Sequence, residues 1–139
     1  LIINKIDLIE NFDPSLPNVS ADKNQLIILF ENLIRNALES ISLEGGYIKI
    51  STLFYFGEVK NIPNTKTNKS SNFILIEIED NGDGIKEEFK DQIFLPFFST
   101  KNKKGLGLYQ AKKIALENNS EIQCYSKKNI TTFKIWIPL

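Results

Sequence analysis

Residues 73–79 place isoleucine at every second position, 74, 76 and 78, and that row constrains the fold more than any other feature of the chain. Ile74, Ile76 and Ile78 fall on one side of such a strand, and the same period carries Asp80 onto that side. A carboxylate that continues a core-facing row needs a donor, because burying it unpaired costs roughly several kcal/mol. The row runs into Asp80-Asn81-Gly82-Asp83-Gly84-Ile85, whose glycines permit backbone angles and close approach that side chains block. Two readings fit. One is a plain Asp-Asn-Gly turn with its aspartate in solvent at the sheet edge. The other is a buried carboxylate that receives the exocyclic amino group of a bound base.

A strand of this kind needs neighbours and cover. Residues 47–56 alternate in the same way, and 5–12 more loosely, with Ile6, Leu8 and Phe12 against Asp7 and Asn11, until Pro14 and Pro17 break the pattern. Residues 121–126 and 131–137 read as a closing hairpin, with Thr131, Phe133, Ile135 and Ile137 on one face and Thr132, Lys134 and Trp136 on the other. Asp22 followed by Gln25 predicts a capping box opening a helix over 23–41, its stripe marked by Leu26, Leu29, Phe30, Leu33, Ala37 and Ile41. Gly45-Gly46 ends it. The pattern predicts a short helical stretch near 86–93 and a helix over 106–118 with a left-handed stop at Asn118-Asn119. Residues 57–72, rich in Asn, Lys, Thr, Ser and Pro, read as an exposed connection. The expected architecture is α/β: a two-layer sandwich, with a mixed sheet of about five strands and helices on one face, forming a single domain over residues 1–139.

Composition excludes several functions. Seventeen basic and seventeen acidic residues cancel, so no overall field favours nucleic acid or an anionic membrane. Cys124 is the one cysteine, which removes an internal disulfide framework and favours reducing, cytoplasmic surroundings. Histidine is absent, so neither histidine dyads nor self-contained phosphohistidine chemistry is available. With no methionine, residue 1 reads as the start of a piece cut from a longer chain.

Three further motifs carry chemistry. Asn32 and Asn36 stand four apart on one helix face, near Arg35 and Glu39; their carboxamide oxygens suit a hard cation such as Mg²⁺, or the face is simply solvated. Lys104-Gly105-Leu106-Gly107-Leu108 opens the last helix, where free N–H groups and the dipole suit a phosphate, although neither the classical mononucleotide loop nor a dinucleotide fingerprint is present. Phe94-Leu95-Pro96-Phe97-Phe98-Ser99-Thr100-Lys101 is either a core corner or the hinge of a lid over 94–104 whose phenylalanines anchor it to the body.

The order of these motifs resembles one family along the whole chain: the ATPase domain shared by histidine kinases, type II topoisomerases, MutL proteins and ninety-kilodalton heat-shock chaperones, with a Bergerat-type ATP-binding fold. Asn32-Leu33-Ile34-Arg35-Asn36-Ala37 is similar to the kinase asparagine box, and Pro-Phe-Phe-Ser-Thr-Lys with Gly-Leu-Gly-Leu is similar to nitrogen-regulation-type sensor kinases. The resemblance implies Asn36 as the direct Mg²⁺ ligand, with Asn32 beside the phosphates. It implies that Asp80 receives the adenine amino group, that Gly82 and Gly84 shape the adenine floor, and that Thr131 supports Asp80 through water. Gly105, Leu106, Gly107 and Leu108 would meet the phosphates, and Ile85 and Lys101 would complete the ATP site. The implied activity is transfer of the γ-phosphoryl group of ATP to a histidine on a separate dimerisation domain of a homodimeric parent, with a response regulator downstream. The isolated domain would be monomeric.

The chain departs from the family's pattern at three places. Lys103-Lys104 stand where Gly-Thr is usual, Ile130 replaces a common glycine, and Ser40 stands where some kinases carry an aromatic that stacks on adenine. Two other functions compete: a nucleotide-binding module without transfer, and a hydrolytic clamp, which places a glutamate where Asn32 stands. Glu31 is adjacent but turned about 100° around the helix.

Overall fold

The computed structural model describes residues 5–60, 71–98 and 105–139. Five strands, β1 (Ile6–Phe12), β2 (Gly46–Gly57), β3 (Ser71–Asp80), β4 (Glu121–Lys127) and β5 (Ile130–Pro138), form one mixed sheet in the order β1-β2-β3-β5-β4. β1 runs parallel to β2, and the other pairs are antiparallel. Helices α1 (Lys23–Ser40) and α2 (Gly107–Glu117) both cover the same face of the sheet. The period predicted for β3 holds: Ile78, with Ile76 partly buried beside it, joins Ile48, Phe133, Ile135 and Ile137 against Leu29, Leu33 and Ala37 of α1 and Ala111, Ile114 and Ala115 of α2, and Ile74 is buried further along the strand. The two-layer expectation is met.

The other face is not uniformly solvated. Val59, Phe73, Leu75 and Trp136 make a second buried cluster there, flanked by Leu53 and Tyr55. Val59 belongs to the stretch expected to be an exposed connection, and that expectation fails at this residue because the chain after β2 folds back over the outer face. Residues 61–70 of the same stretch lie outside the described residues.

The helix ends depart from expectation instructively. Asp22 caps α1, its Oδ1 accepting the Gln25 N–H at 3.1 Å. Gln25 does not return the bond, so the capping box is only half formed. Its Nε2 donates to Glu117, and its Oε1 accepts from Asn118 Nδ2 at 2.9 Å. The Asp22 N–H donates instead to Asn118 Oδ1 at 2.9 Å. Asn118 thus closes the start of α1 and the end of α2 together, with Asn119 left-handed (φ 55°) and the Ser120 N–H bonded to the Ala115 carbonyl at 2.8 Å. Near 86–93 the predicted helical stretch is one 3₁₀ turn, Glu87–Phe89, followed by turns with i to i+3 bonds such as Gln92 N–H to Phe89 O at 2.9 Å. Lys86 offers no capping side chain, and so short a stretch cannot offset helix nucleation.

Two titratable groups report on this packing. Burial, then the negative charge of Asp80, pushes the Cys124 thiol from about 9 up to about 12, with Lys90 opposing. Donation of the Tyr47 hydroxyl to Glu79 Oε2 at 2.6 Å raises the phenol from 10 to about 12. In both cases folding favours the neutral form. That stability is complete below the ordinary pKa values and is lost as pH rises through the folded ones. Urea unfolding followed from pH 8 to pH 11 is expected to show declining stability, with a flatter decline in Tyr47→Phe/Cys124→Ala. A second expectation concerns Asn118→Ala, which removes the part-buried acceptor of the Asp22 N–H, the bond to Gln25 and the buried bond to Ile114 O. Its denaturation midpoint should correspond to a loss of about 2–3 kcal/mol with an unchanged slope.

Candidate functional site

The end of β3, the start of β5, the C-terminal half of α1 and the first turn of α2 converge on a cavity of about 560 Å³, within the usual range for a small-molecule site. Asp80 forms its floor. At 1% exposure, and in register with Ile48 on β2 and Thr131 on β5, its carboxylate is buried, so the reading of a solvent-dipping turn is set aside. The Gly82 N–H donates to Asp80 Oδ1 at 2.9 Å. Thr131, also buried, lines the cavity, and its Oγ1 lies 3.3 Å from Ser126 Oγ. Ser126 Oγ in turn accepts the Ile85 N–H at 2.9 Å.

The turn after Asp80 is bolted to α1. Ser40 accepts the Asp83 N–H at both its hydroxyl (2.9 Å) and its carbonyl (3.2 Å). Gly82 passes so close that a Cβ there would lie 2.5 Å from the Ser40 carbonyl oxygen, and this close approach explains the glycine. Gly82 does not itself line the cavity, whereas Gly84 and Ile85 do. Ser40, noted in the sequence only as a missing aromatic, is the clamp that sets the turn.

Asn32 is 7% exposed and held across the helix pair: its Nδ2 donates to Gln110 Oε1 on α2 at 3.1 Å, and its Oδ1 accepts from Arg35 Nη1 at 3.4 Å. Asn36, one turn further, is half-buried and lines the cavity with Arg35 and Glu39. The solvated-face reading therefore does not describe this pair. Glu31 is exposed and outside the cavity lining.

Gly105, Leu106, Gly107 and Leu108 all line the cavity as well. Leu106 is the N-cap of α2 and supplies no side-chain bond, so the first-turn N–H groups are uncapped by it. Gly105 has φ +66°, and its carbonyl accepts the Phe97 N–H at 3.0 Å; a Cβ there would meet the Phe97 carbonyl carbon at 2.6 Å. The anchoring expected of the phenylalanines holds for two of them. Phe94 meets Phe133 edge-on at 6.2 Å and Phe98 meets Phe89 at 5.5 Å, while Phe97 is 76% exposed with φ 65°. The left-handed backbone at Phe97 turns its ring away from the core. Lys101, Lys103 and Lys104, with the rest of 99–104, lie outside the described residues.

Sequence reasoning missed Ser126, Gln110, Lys86, Phe89 and Ile93. Ser126 was within reach of it, because the hairpin loop Lys128-Asn129, both residues left-handed, places Ser126 opposite Thr131. The others follow from tertiary packing alone.

Residues 21–139 match the family described as histidine kinase-, DNA gyrase B-, and HSP90-like ATPase. The chain is 38% identical over 135 residues to the sensory histidine kinase/phosphatase NtrB of Azospirillum brasilense, covering 96% of this chain and 34% of that protein. To NtrB of Rhizobium leguminosarum bv. phaseoli it is 35% identical over 135 residues, covering 96% and 35%. The chain thus spans about a third of the length of the curated relatives it matches. The nucleotide-free catalytic domain of histidine kinase ThkA superposes with a TM-score of 0.74 at 30% identity, covering 96% of this chain and 80% of that one. With a five-stranded mixed sheet under two helices and the asparagine, aspartate and glycine motifs gathered on one cavity, the chain belongs to the histidine kinase-, DNA gyrase B- and HSP90-like ATPase family.

Proposed function

We propose that this chain binds Mg-ATP and delivers its γ-phosphoryl group to a histidine on a separate dimerisation domain, as the catalytic part of a two-component sensor kinase. The observation that carries this reading is the buried carboxylate of Asp80 lining the same cavity as a glycine-rich helix start whose N-cap residue supplies no side-chain bond. A buried anion suits an exocyclic amino group, and an open helix N-terminus suits phosphate, so the two ends match the two ends of ATP. Thr131, Gly84 and Ile85 line the base end; Gly82 shapes it from behind through Ser40. Gly105, Leu106, Gly107 and Leu108 meet the phosphates, and Lys101, outside the described residues, is assigned to the same end of the site by the family resemblance alone.

Among the described residues no group of three or more His, Cys, Asp or Glu gathers to hold a metal, so Mg²⁺ would rest on one carboxamide oxygen, that of Asn36, with phosphate and water completing its shell. The ion would neutralise charge on the triphosphate. Asn32, already fixed by Gln110 and Arg35, is preorganised beside it. For the chain's own residues the chemistry is positioning and electrostatic stabilisation. In the transfer, the bond from the γ-phosphorus to its bridging oxygen breaks, a bond to an imidazole nitrogen forms, and ADP leaves. The accepting histidine and any base that takes its proton come from outside this sequence, which contains no histidine. The parent would be a homodimer acting on a response regulator from the cytoplasmic side; no described helix is long and apolar enough to cross a membrane.

Incubation with labelled ATP, Mg²⁺ and the parent's histidine-bearing domain is expected to yield acid-labile phosphate on that domain and none on this chain. Label on neither, with ATP still bound, would make this a binding module. Asp80→Asn should stay folded and lose about ten- to hundred-fold in ATP affinity by calorimetry, the equivalent of a charge-assisted hydrogen bond of roughly 1.5–3 kcal/mol. GTP should bind the wild type far more weakly than ATP. Asn36→Ala should make nucleotide affinity nearly independent of Mg²⁺; a magnesium dependence of wild-type strength would remove Asn36 as the ligand.

A further inference from the structure

We propose that Ser126 is a positioning residue for base recognition: its hydroxyl directs the Thr131 hydroxyl so that Thr131 offers a proton, not a lone pair, to the cavity beside Asp80. The proposal rests on the base-binding reading above. Ser126 does not line the cavity; it stands behind Thr131 on the neighbouring strand, directly across the β4–β5 ladder.

The direction follows from counting protons. The Ile85 N–H can only donate, so at 2.9 Å it occupies a lone pair of Ser126 Oγ. The Ser126 proton must then find an acceptor, and Thr131 Oγ1 lies 3.3 Å away. If Thr131 donated to Ser126 instead, the serine oxygen would accept twice while its own proton lacked a described acceptor, which is unfavourable in a half-buried hydroxyl. The relay therefore runs from Ile85 N–H to Ser126 to Thr131. The Thr131 proton is left pointing into the cavity, next in register to the Asp80 carboxylate, which when ionised can only accept.

An acceptor beside a donor selects a complementary edge: an amino group next to a ring nitrogen with a free lone pair. A 6-aminopurine has that edge. A 6-oxopurine presents a carbonyl beside an N–H, with both signs reversed. Asp80 alone would distinguish an amino group from a carbonyl; the relay adds a second point of discrimination at the ring nitrogen, met directly or through a water.

The test is calorimetry of ATP, GTP and 1-deaza-ATP, in which a C–H replaces that ring nitrogen, with the wild type, Ser126→Ala and Ser126→Thr. For the wild type, losing the ring nitrogen should weaken binding about ten-fold, the scale of one hydrogen bond. In Ser126→Ala the Thr131 hydroxyl is unfixed, and the gap between ATP and 1-deaza-ATP should shrink to about two-fold or less. Ser126→Thr, which keeps the hydroxyl, should restore the gap. If Ser126→Ala weakens both nucleotides by the same factor, the serine only holds the turn and the relay is overturned. Should Ser126→Ala not fold, Ser126→Cys keeps the volume with a much weaker donor, and an undiminished gap there overturns the relay equally. A wild type that binds ATP and GTP alike fails at Asp80, and the base-binding reading falls with the relay. A wild type that separates ATP from GTP but not from 1-deaza-ATP defeats the relay alone.

Discussion

Asp80 is a carboxylate at the end of a row of isoleucines, buried to 1% between Ile48 and Thr131, and most of the architecture is bound to keeping it there. β3 lies at the centre of the sheet, paired antiparallel on both sides. A slip of one residue in either ladder would turn Asp80 to the outer face and expose Ile74, Ile76 and Ile78 with it. Core and site are therefore specified by one alternation, and a register that failed to bury the isoleucines would also lose the carboxylate. The turn that follows is fixed from two directions, by Ser40 at the end of α1 and by Ser126 on β4, so the floor of the cavity is stiff before anything binds.

The helical layer is tied together by polar contacts rather than by apolar packing alone. Asn32 meets Gln110 near the cavity, and Asn118 serves both Asp22 and Gln25 at the far end, so the antiparallel pair is pinned at two separated points. Buried Glu121 is paired with Lys112, which also donates to the Ile122 carbonyl at 3.1 Å and sits 5.4 Å over the Phe94 ring. This lysine joins α2, β4 and the aromatic base of the 94–98 segment. Each buried polar group named here has a partner in another element, so the site inherits its geometry from the assembled fold and not from any local segment.

What was legible in the sequence divides along physical lines. The strands could be read because a half-buried strand writes its faces into alternate residues, as at Ile74–Ile78 and Thr131–Ile137. The position of Asp80 followed from the same period, and the asparagine pair from helical spacing. Features set by partners far along the chain were hidden. Gln25 looked like the second half of a capping box, but Asn118, 93 residues away, captured it. Trp136 sits on the face opposite Phe133, where the sequence predicted no covering helix; it is buried because Val59, Phe73 and Leu75 gather around it. Ser126 carries no pattern of its own, and its place emerges only once the hairpin register sets it against Thr131.

The backbone bond from Phe97 N–H to the Gly105 carbonyl has a consequence for how this surface tolerates change. It closes a loop at its base, with Phe94 and Phe98 seated on one side and the first turn of α2 on the other. Any side chain at Gly105 would meet the Phe97 carbonyl carbon at 2.6 Å and would have to adopt a φ of +66°, so a single glycine decides whether the aromatic segment and the helix start that lines the cavity keep their common junction.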